Sequence, residues 1–162
     1  MCGFMKQKKR VDWKLLVLSF VIVYLLGYIG SVLSGDGAKS EWFESIRPVI
    51  TPPNWVFPVV WNILFFLIGL SFYFVLVSEG KDKTWKIVVG VFVINFILNA
   101  GWSYIFFQLR NPLLAFLDLI LLFITIAMLM YFSWSIDKRS SYLLVPYFVW
   151  ICIAGVLNWV IL

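Results

Sequence analysis

The sequence predicts an all-α membrane protein, a single bundle of five transmembrane helices, on three observations. First, 63% of its 162 residues are hydrophobic and only 13% are charged, where a soluble domain is roughly half apolar and a quarter charged. A water-soluble fold of this length has too little interior to hide that much apolar surface. Second, the chain carries five long apolar stretches, each of which at about 1.5 Å per residue can cross a hydrocarbon core about 30 Å thick. Third, none of them alternates apolar and polar residues as a barrel strand does, so helices must satisfy the backbone within the bilayer.

Taken in order, the spans are expected at 13–33, 54–78, 84–108, 112–136 and 142–162. The first follows a Lys-rich start and is too long for a signal peptide, with no small-x-small cleavage site after it, so it stays as a helix. The second opens on Pro52, Pro53 and Pro58, residues tolerated where a helix begins. The third is amide-bearing, with Asn95 and Asn99, and the fourth carries Asp118. Pro146 should locally break the fifth, because its ring removes one backbone bond. Only the connections 34–53, 79–83, 109–111 and 137–141 remain, so one domain is expected over 1–162.

Basic residues set the expected orientation. Lys6, Lys8, Lys9, Arg10, Lys14, Lys81, Lys83, Lys86, Lys138 and Arg139 fall at one end of the spans, and Lys39, Arg47 and Arg110 at the other. Cytoplasmic loops carry the excess of Lys and Arg, which places the N-terminus in the cytoplasm and the C-terminus outside. The formal charge of +5 then reflects topology and contact with anionic lipid, and no nucleic-acid partner is expected. The Lys-rich start and the lack of a targeting presequence suit a multi-pass protein of a bacterial cell membrane. Cys2 and Cys152 lie at different depths, so no disulfide is expected. The apolar run that precedes a lipoprotein cysteine is missing before Cys2.

The chemistry available is narrow. There is no histidine, which excludes a His-based triad, imidazole ligation of haem and the usual zinc sites. No glycine-rich phosphate loop occurs, and neither a cofactor nor a metal is expected. Asp118, the only acid within a span, is expected to hydrogen-bond a neighbouring helix or to sit near the outer interface, in a structural role. Gly27 and Ser31, like Gly90, Ala100 and Gly101, are small positions for close packing or dimerisation.

Aromatic and amide groups are what remains. Of nine tryptophans, Trp13, Trp42, Trp85, Trp134 and Trp159 lie near span ends, where interfacial belts form. Trp61, Trp102 and Trp150 lie deeper. Asn95, Asn99, Trp102 and Ser103 share one helical face, as do Tyr147, Trp150, Ala154 and Asn158, while Trp61 and Phe65 pair in the second span. Deep amides must point into protein or a cavity, because lipid offers no partner. Two readings stay open: hydrogen-bonding glue between helices, or an aromatic pocket with a few oriented polar groups.

At these residues the sequence resembles the TspO/MBR family, the translocator proteins once called peripheral-type benzodiazepine receptors. The motifs run from Trp42-Phe43 through Arg47-Pro48 and Thr51-Pro52-Pro53-Asn54-Trp55-Val56-Phe57-Pro58 to Val60-Trp61-Asn62-Ile63-Leu64-Phe65. Asn95, Asn99 and Trp102-Ser103 continue them, then Leu143 to Trp150 and Ala154-Gly155-Val156-Leu157-Asn158. Where the family carries a Lys-Pro-x-Trp arrangement, this chain has Arg47-Pro48-Val49-Ile50. The basic tail of the sterol-binding animal members does not follow Leu162.

The resemblance implies a five-helix bundle, often a homodimer, with the loop 34–53 covering a pocket between helices. It implies binding of porphyrins such as protoporphyrin IX and of synthetic benzodiazepine and isoquinoline carboxamide ligands. The residues expected at the ligand are Ser31, Trp61, Phe65, Asn95, Asn99, Trp102, Tyr147, Trp150 and Ala154. Three functions are open: a sensor, scavenger or carrier of such ligands; an enzyme degrading porphyrin with light and oxygen, using Trp61 and Trp150; or a structural or regulatory membrane partner.

Overall fold

The computed structural model describes residues 11–162. Cys2 and four of the basic residues used for orientation, Lys6, Lys8, Lys9 and Arg10, lie outside the described residues. The rest is helical, and five of the helices are long and apolar enough to cross a membrane. Their outward faces are rich in large aliphatic side chains such as Val21, Leu25, Ile97, Leu117 and Val156, a surface that only a lipid environment accommodates.

The chain starts with α1, Trp13–Leu33, capped by the Asp12 carboxylate, which accepts from the backbone N–H of Lys14 and Leu15. Gly35 and Gly37 follow with φ of 57° and 53°, a left-handed conformation that glycine adopts without penalty and that turns the chain back across the bundle. A single 3₁₀ turn leads into α2, Glu41–Ile46, whose cap is Ser40. The loop 34–53 therefore holds a short helix of its own. Two long helices come next: α3, Val56–Leu76, and α4, Lys83–Ser103, capped by Asp82.

The third span continues past α4 as a wider π-helical turn, Tyr104–Gln108. Asn111 then caps α5, Pro112–Ile136, with Pro112 in the first turn. The fifth span is broken, as Pro146 suggests. It consists of α6, Lys138–Leu143, and α7, Val145–Ile161, separated at Leu144.

Two spans differ by more than one residue from the sequence reading. The second helix is shorter at both ends than 54–78. The fifth starts at Lys138 rather than 142, because the polar run Ser140-Ser141 is buried helix instead of solvated loop. Ser140 meets Ser71 of α3 through its hydroxyl and carbonyl, and Ser141 Oγ donates to the Met130 carbonyl at 2.7 Å.

Around the bundle the neighbours run α1, α3, α6 with α7, α5, α4 and back to α1. Phe72, Val75, Val88, Phe92, Leu122, Ile126, Leu129 and Leu144 form a close-packed core. These residues lie toward the end where α3 finishes and α4 begins. At the opposite end a smaller cluster of Phe43, Phe106 and Ala115 joins α2 to the π-helical turn and α5.

Three further expectations change. Trp85, at a span end, also has a structural role: its indole N–H donates to the Val75 carbonyl at 2.9 Å, closing the C-terminus of α3. Trp42 packs its ring against Phe106 under the lid. Asp118 is buried within the bundle, and its Oδ2 has no hydrogen-bond partner among the described residues.

Candidate ligand pocket

The lid end of the bundle is hollow. A cavity of about 520 Å³ lies between α1, α3, α4 and α7 and is roofed by the segment 34–51. That volume falls in the usual range for small-molecule sites, roughly 300–1,000 Å³. Among the described residues, none that lines it is charged. Its ceiling includes Phe43, Pro48 and Thr51, and the π-helical turn contributes Phe106 and Phe107.

Local sequence explains the room. On α1, Gly27 has no side chain where a Cβ would run into the Phe65 ring, so that ring approaches the helix closely. Gly30 lets α1 approach α4, with the site of a Cβ 3.6 Å from Ala100 Cα. The Phe65 ring packs against Trp61 at 5.3 Å between centroids with the planes tilted by 31°, and meets Tyr24 edge-on at 6.0 Å. On the far wall Trp102 stacks on Phe106 at 4.9 Å with only 12° between planes. The walls are thus two aromatic pairs, with Ala154 of α7 supplying the small position between helices.

Of the residues expected at a ligand, Ser31, Trp61, Phe65, Asn99, Trp102 and Ala154 all line this cavity. Asn95 and Tyr147 do not; both are almost wholly buried behind the wall. Trp150 lines a second space of about 50 Å³ and meets Phe57 edge-on at 6.0 Å. The two spaces share Phe57, Trp61, Asn99, Trp102, Ala154 and Leu157.

The buried amides form a directional chain. Asn99 Nδ2 donates to the Tyr147 hydroxyl at 2.9 Å, and that hydroxyl donates to Asn95 Oδ1 at 3.2 Å. Asn95 Nδ2 donates to Thr125 Oγ1 at 2.9 Å, and Thr125 donates to the Leu122 carbonyl. The glue reading therefore describes Asn95, which ties α4 to α5 and α7. Asn99 both ends this chain and faces the cavity.

Sequence reasoning did not assign to the ligand Tyr24, Gly27, Pro48, Thr51, Phe57 or the Phe106-Phe107 pair, all of which line the cavity. The spacing of Tyr24, Gly27 and Ser31 on one face of α1 was a usable signal. The Phe pair was not readable that way, because a π-helical turn shifts side chains off the 3.6-residue register. Asn158 also lines the cavity: its Nδ2 donates to the Pro112 carbonyl at 3.0 Å, while Oδ1 is buried with no partner among the described residues. Trp102 Nε1 and Thr51 Oγ1 are buried and unpartnered in the same sense. Three orphaned polar atoms on residues around one cavity are unusual in a folded interior.

The sequence that carries these residues has relatives. Residues 19–162 match the TspO/MBR family. The chain belongs to the TspO/MBR family. It is 35% identical over 147 residues to the tryptophan-rich protein TspO of Chlorobaculum tepidum, covering 91% of this chain and 93% of that one. It is 30% identical to protein CrtK of Rhodobacter capsulatus, over 89% of this chain and 88% of that protein. The translocator protein of Ovis aries is 28% identical, over 82% of this chain and 79% of its own length. As a TspO/MBR member with five apolar helices, the chain is a multi-pass membrane protein.

Proposed function

We propose that this TspO/MBR protein binds flat, largely apolar ligands of the porphyrin type in the lidded cavity and acts as their sensor, scavenger or carrier. The observation that carries this reading is the cavity itself, about 520 Å³, walled by the Trp61–Phe65 and Trp102–Phe106 pairs and free of charged lining among the described residues. Aromatic walls stack on a flat ring system, and a charge-free lining fits the apolar conjugated body of such a ligand. Among the lining residues, the Asn99 amide and the Ser31 hydroxyl suit a ligand carbonyl, carboxyl or N–H group. Isoquinoline carboxamide and benzodiazepine compounds have this combination of flat ring and amide, and belong to the same proposal.

The proposal extends to assembly and placement. The ten-to-three basic asymmetry supports a cytoplasmic N-terminus and a lid on the outer side of the cell membrane. The family resemblance supports a homodimer.

Titration of the detergent-solubilised protein with protoporphyrin IX, read by quenching of tryptophan emission, tests the reading. Saturable binding is expected, displaced by an isoquinoline carboxamide that enters the same cavity. Non-saturating uptake, indistinguishable from that of empty micelles, would sink it. The degradation reading has one observation in its favour, the placement of Trp61 in the cavity wall. Under that reading bound porphyrin disappears in light and persists in darkness.

A further inference from the structure

The lid has two sides, and the cavity accounts for only one. Between Arg47 and Trp55 the chain makes a tight turn in which the Thr51 N–H donates to the Pro48 carbonyl at 3.0 Å. The two ends of this turn, Pro48 and Thr51, line the cavity. Its two central residues are turned away from it: Val49 is 104% exposed and Ile50 62%. No part of the described chain covers them. A few residues on, Trp55 is 67% exposed, immediately before α3 enters the apolar span.

Such a tip is costly in water, since two aliphatic side chains stand free on a lid whose other exposed residues include several charged ones. Asp36, Lys39, Glu41 and Glu44 all belong to the same segment. The end of the bundle to which the lid is attached is itself ringed by outward aromatic and aliphatic side chains, including Trp159 and Leu113. Trp55 and Trp159 have the amphipathic rings that settle at the level of lipid headgroups. Val49 and Ile50 continue that apolar rim.

We propose that Val49 and Ile50 anchor the lid in the bilayer interface, so that one four-residue turn contacts ligand on its inner side and lipid on its outer side. The proposal rests on the ligand reading only for its consequence. Lifting the lid to release a ligand also withdraws two aliphatic side chains from lipid, which makes residence time depend on the membrane. The helical part of the lid is seated by Trp42 and Phe43 against Phe106 and Phe107, while Arg47 Nη1 donates to Glu44 Oε1 at 2.8 Å and Asn54 Nδ2 to the Ala38 carbonyl at 3.2 Å. These contacts hold α2 and the lid's shape, and lipid contact holds the turn beyond it.

The test uses the full chain in phosphatidylcholine nanodiscs. In a Cys2→Ser, Cys152→Ala background, Ile50→Cys is labelled with a nitrobenzoxadiazole fluorophore, with Glu41→Cys labelled as control. The probe at position 50 is expected to emit as in an apolar medium and to be quenched by headgroup-proximal spin-labelled lipid, while the control stays water-like. A water-like, unquenched probe at position 50 overturns the anchor whether or not porphyrin binds. In the second arm, Val49→Ser with Ile50→Ser is expected to speed release of a bound isoquinoline carboxamide by about tenfold, because the serines no longer hold the lid to lipid. An unchanged release rate alongside a lipid-quenched probe overturns the coupling. Failure of any ligand to bind removes the proposed function but leaves the first arm decisive for the anchor.

Discussion

The two ends of this bundle are built from the same kinds of residue and do opposite things. At the end where α3 finishes and α4 begins, Phe72, Phe92, Val88, Leu129 and Leu144 are packed to near-zero exposure. At the lid end Phe65, Trp61, Trp102 and Phe106 are equally aromatic yet stand around open space. The difference comes from small residues and backbone irregularity. Gly27 and Ala154 withhold volume, the π-helical turn redirects Phe106 and Phe107, and a left-handed Gly35–Gly37 turn swings the lid across the top. Hydrophobic content alone does not make a core. Where the backbone holds helices apart, aromatic rings become walls.

If the packed end carries the stability, the largest expected effect lies there. Phe92, fully buried and in contact with the rings of Phe72 and Phe96, should cost about 3–5 kcal/mol when replaced by alanine. Guanidinium- or heat-induced unfolding in detergent measures this, and ligand affinity of the folded fraction should not change. A small loss there would mean that the two ends share the stabilising role.

Asn95 sharpens the division between the ends, because it lies behind the cavity wall. Asn95→Leu leaves the Tyr147 hydroxyl without its acceptor and Thr125 without its donor. The expected result is a stability loss of about 1–3 kcal/mol with a smaller change in affinity. Asn99→Leu should show the reverse ranking, since Asn99 faces the cavity. Equal effects of the two substitutions would place both amides in one role.

At the hollow end volume should decide. Ala154→Phe should weaken protoporphyrin binding by more than about tenfold, or over 1.4 kcal/mol, while sparing slimmer amide ligands. Gly27→Ala should act from the opposite wall by displacing the Phe65 ring. Alanine favours a helix over glycine, so the folded state should not weaken. Trimming the ring in Gly27→Ala with Phe65→Leu should recover the lost affinity. No recovery would show that Phe65 moves away from the cavity instead of into it.

The sequence made the helices legible because a bilayer imposes length and apolarity on each span. It also marked the wall residues carried by regular helix, where the i, i+3, i+4 spacing of Asn99, Trp102 and Ser103 translates directly into one face. It failed where polarity is a poor guide to exposure, as at Ser140 and Ser141, whose hydroxyls are satisfied between helices. It failed again where the register breaks, at the π-helical turn. The lid was visible as a connection but not as a structured cap, because α2 is only six residues long and rests on Phe106 and Phe107 from a distant span.

Trp150 is the residue whose expected importance the structure reduces most, and it makes the finest test of the comparison. It belongs to α7, as Ala154 does, but its ring lies against Phe57 beside the smaller space of about 50 Å³ and does not line the main cavity. Trp150→Phe preserves an aromatic edge for Phe57 and removes the indole. If ligand is held in the main cavity, affinity for protoporphyrin should change by less than about threefold, within the scatter expected of a residue outside the contact wall. The light-driven loss of bound porphyrin should be equally indifferent, because an electron donor to the ring system would come from Trp61 in the wall. Affinity and photoproduct yield, measured on the same preparation, give the answer. A large drop in affinity would mean that ligand reaches past Phe57 into the smaller space. Intact affinity with lost photoproduct would instead place the oxidisable indole at Trp150, and make the protein a catalyst whose reactive ring sits one layer behind its binding site.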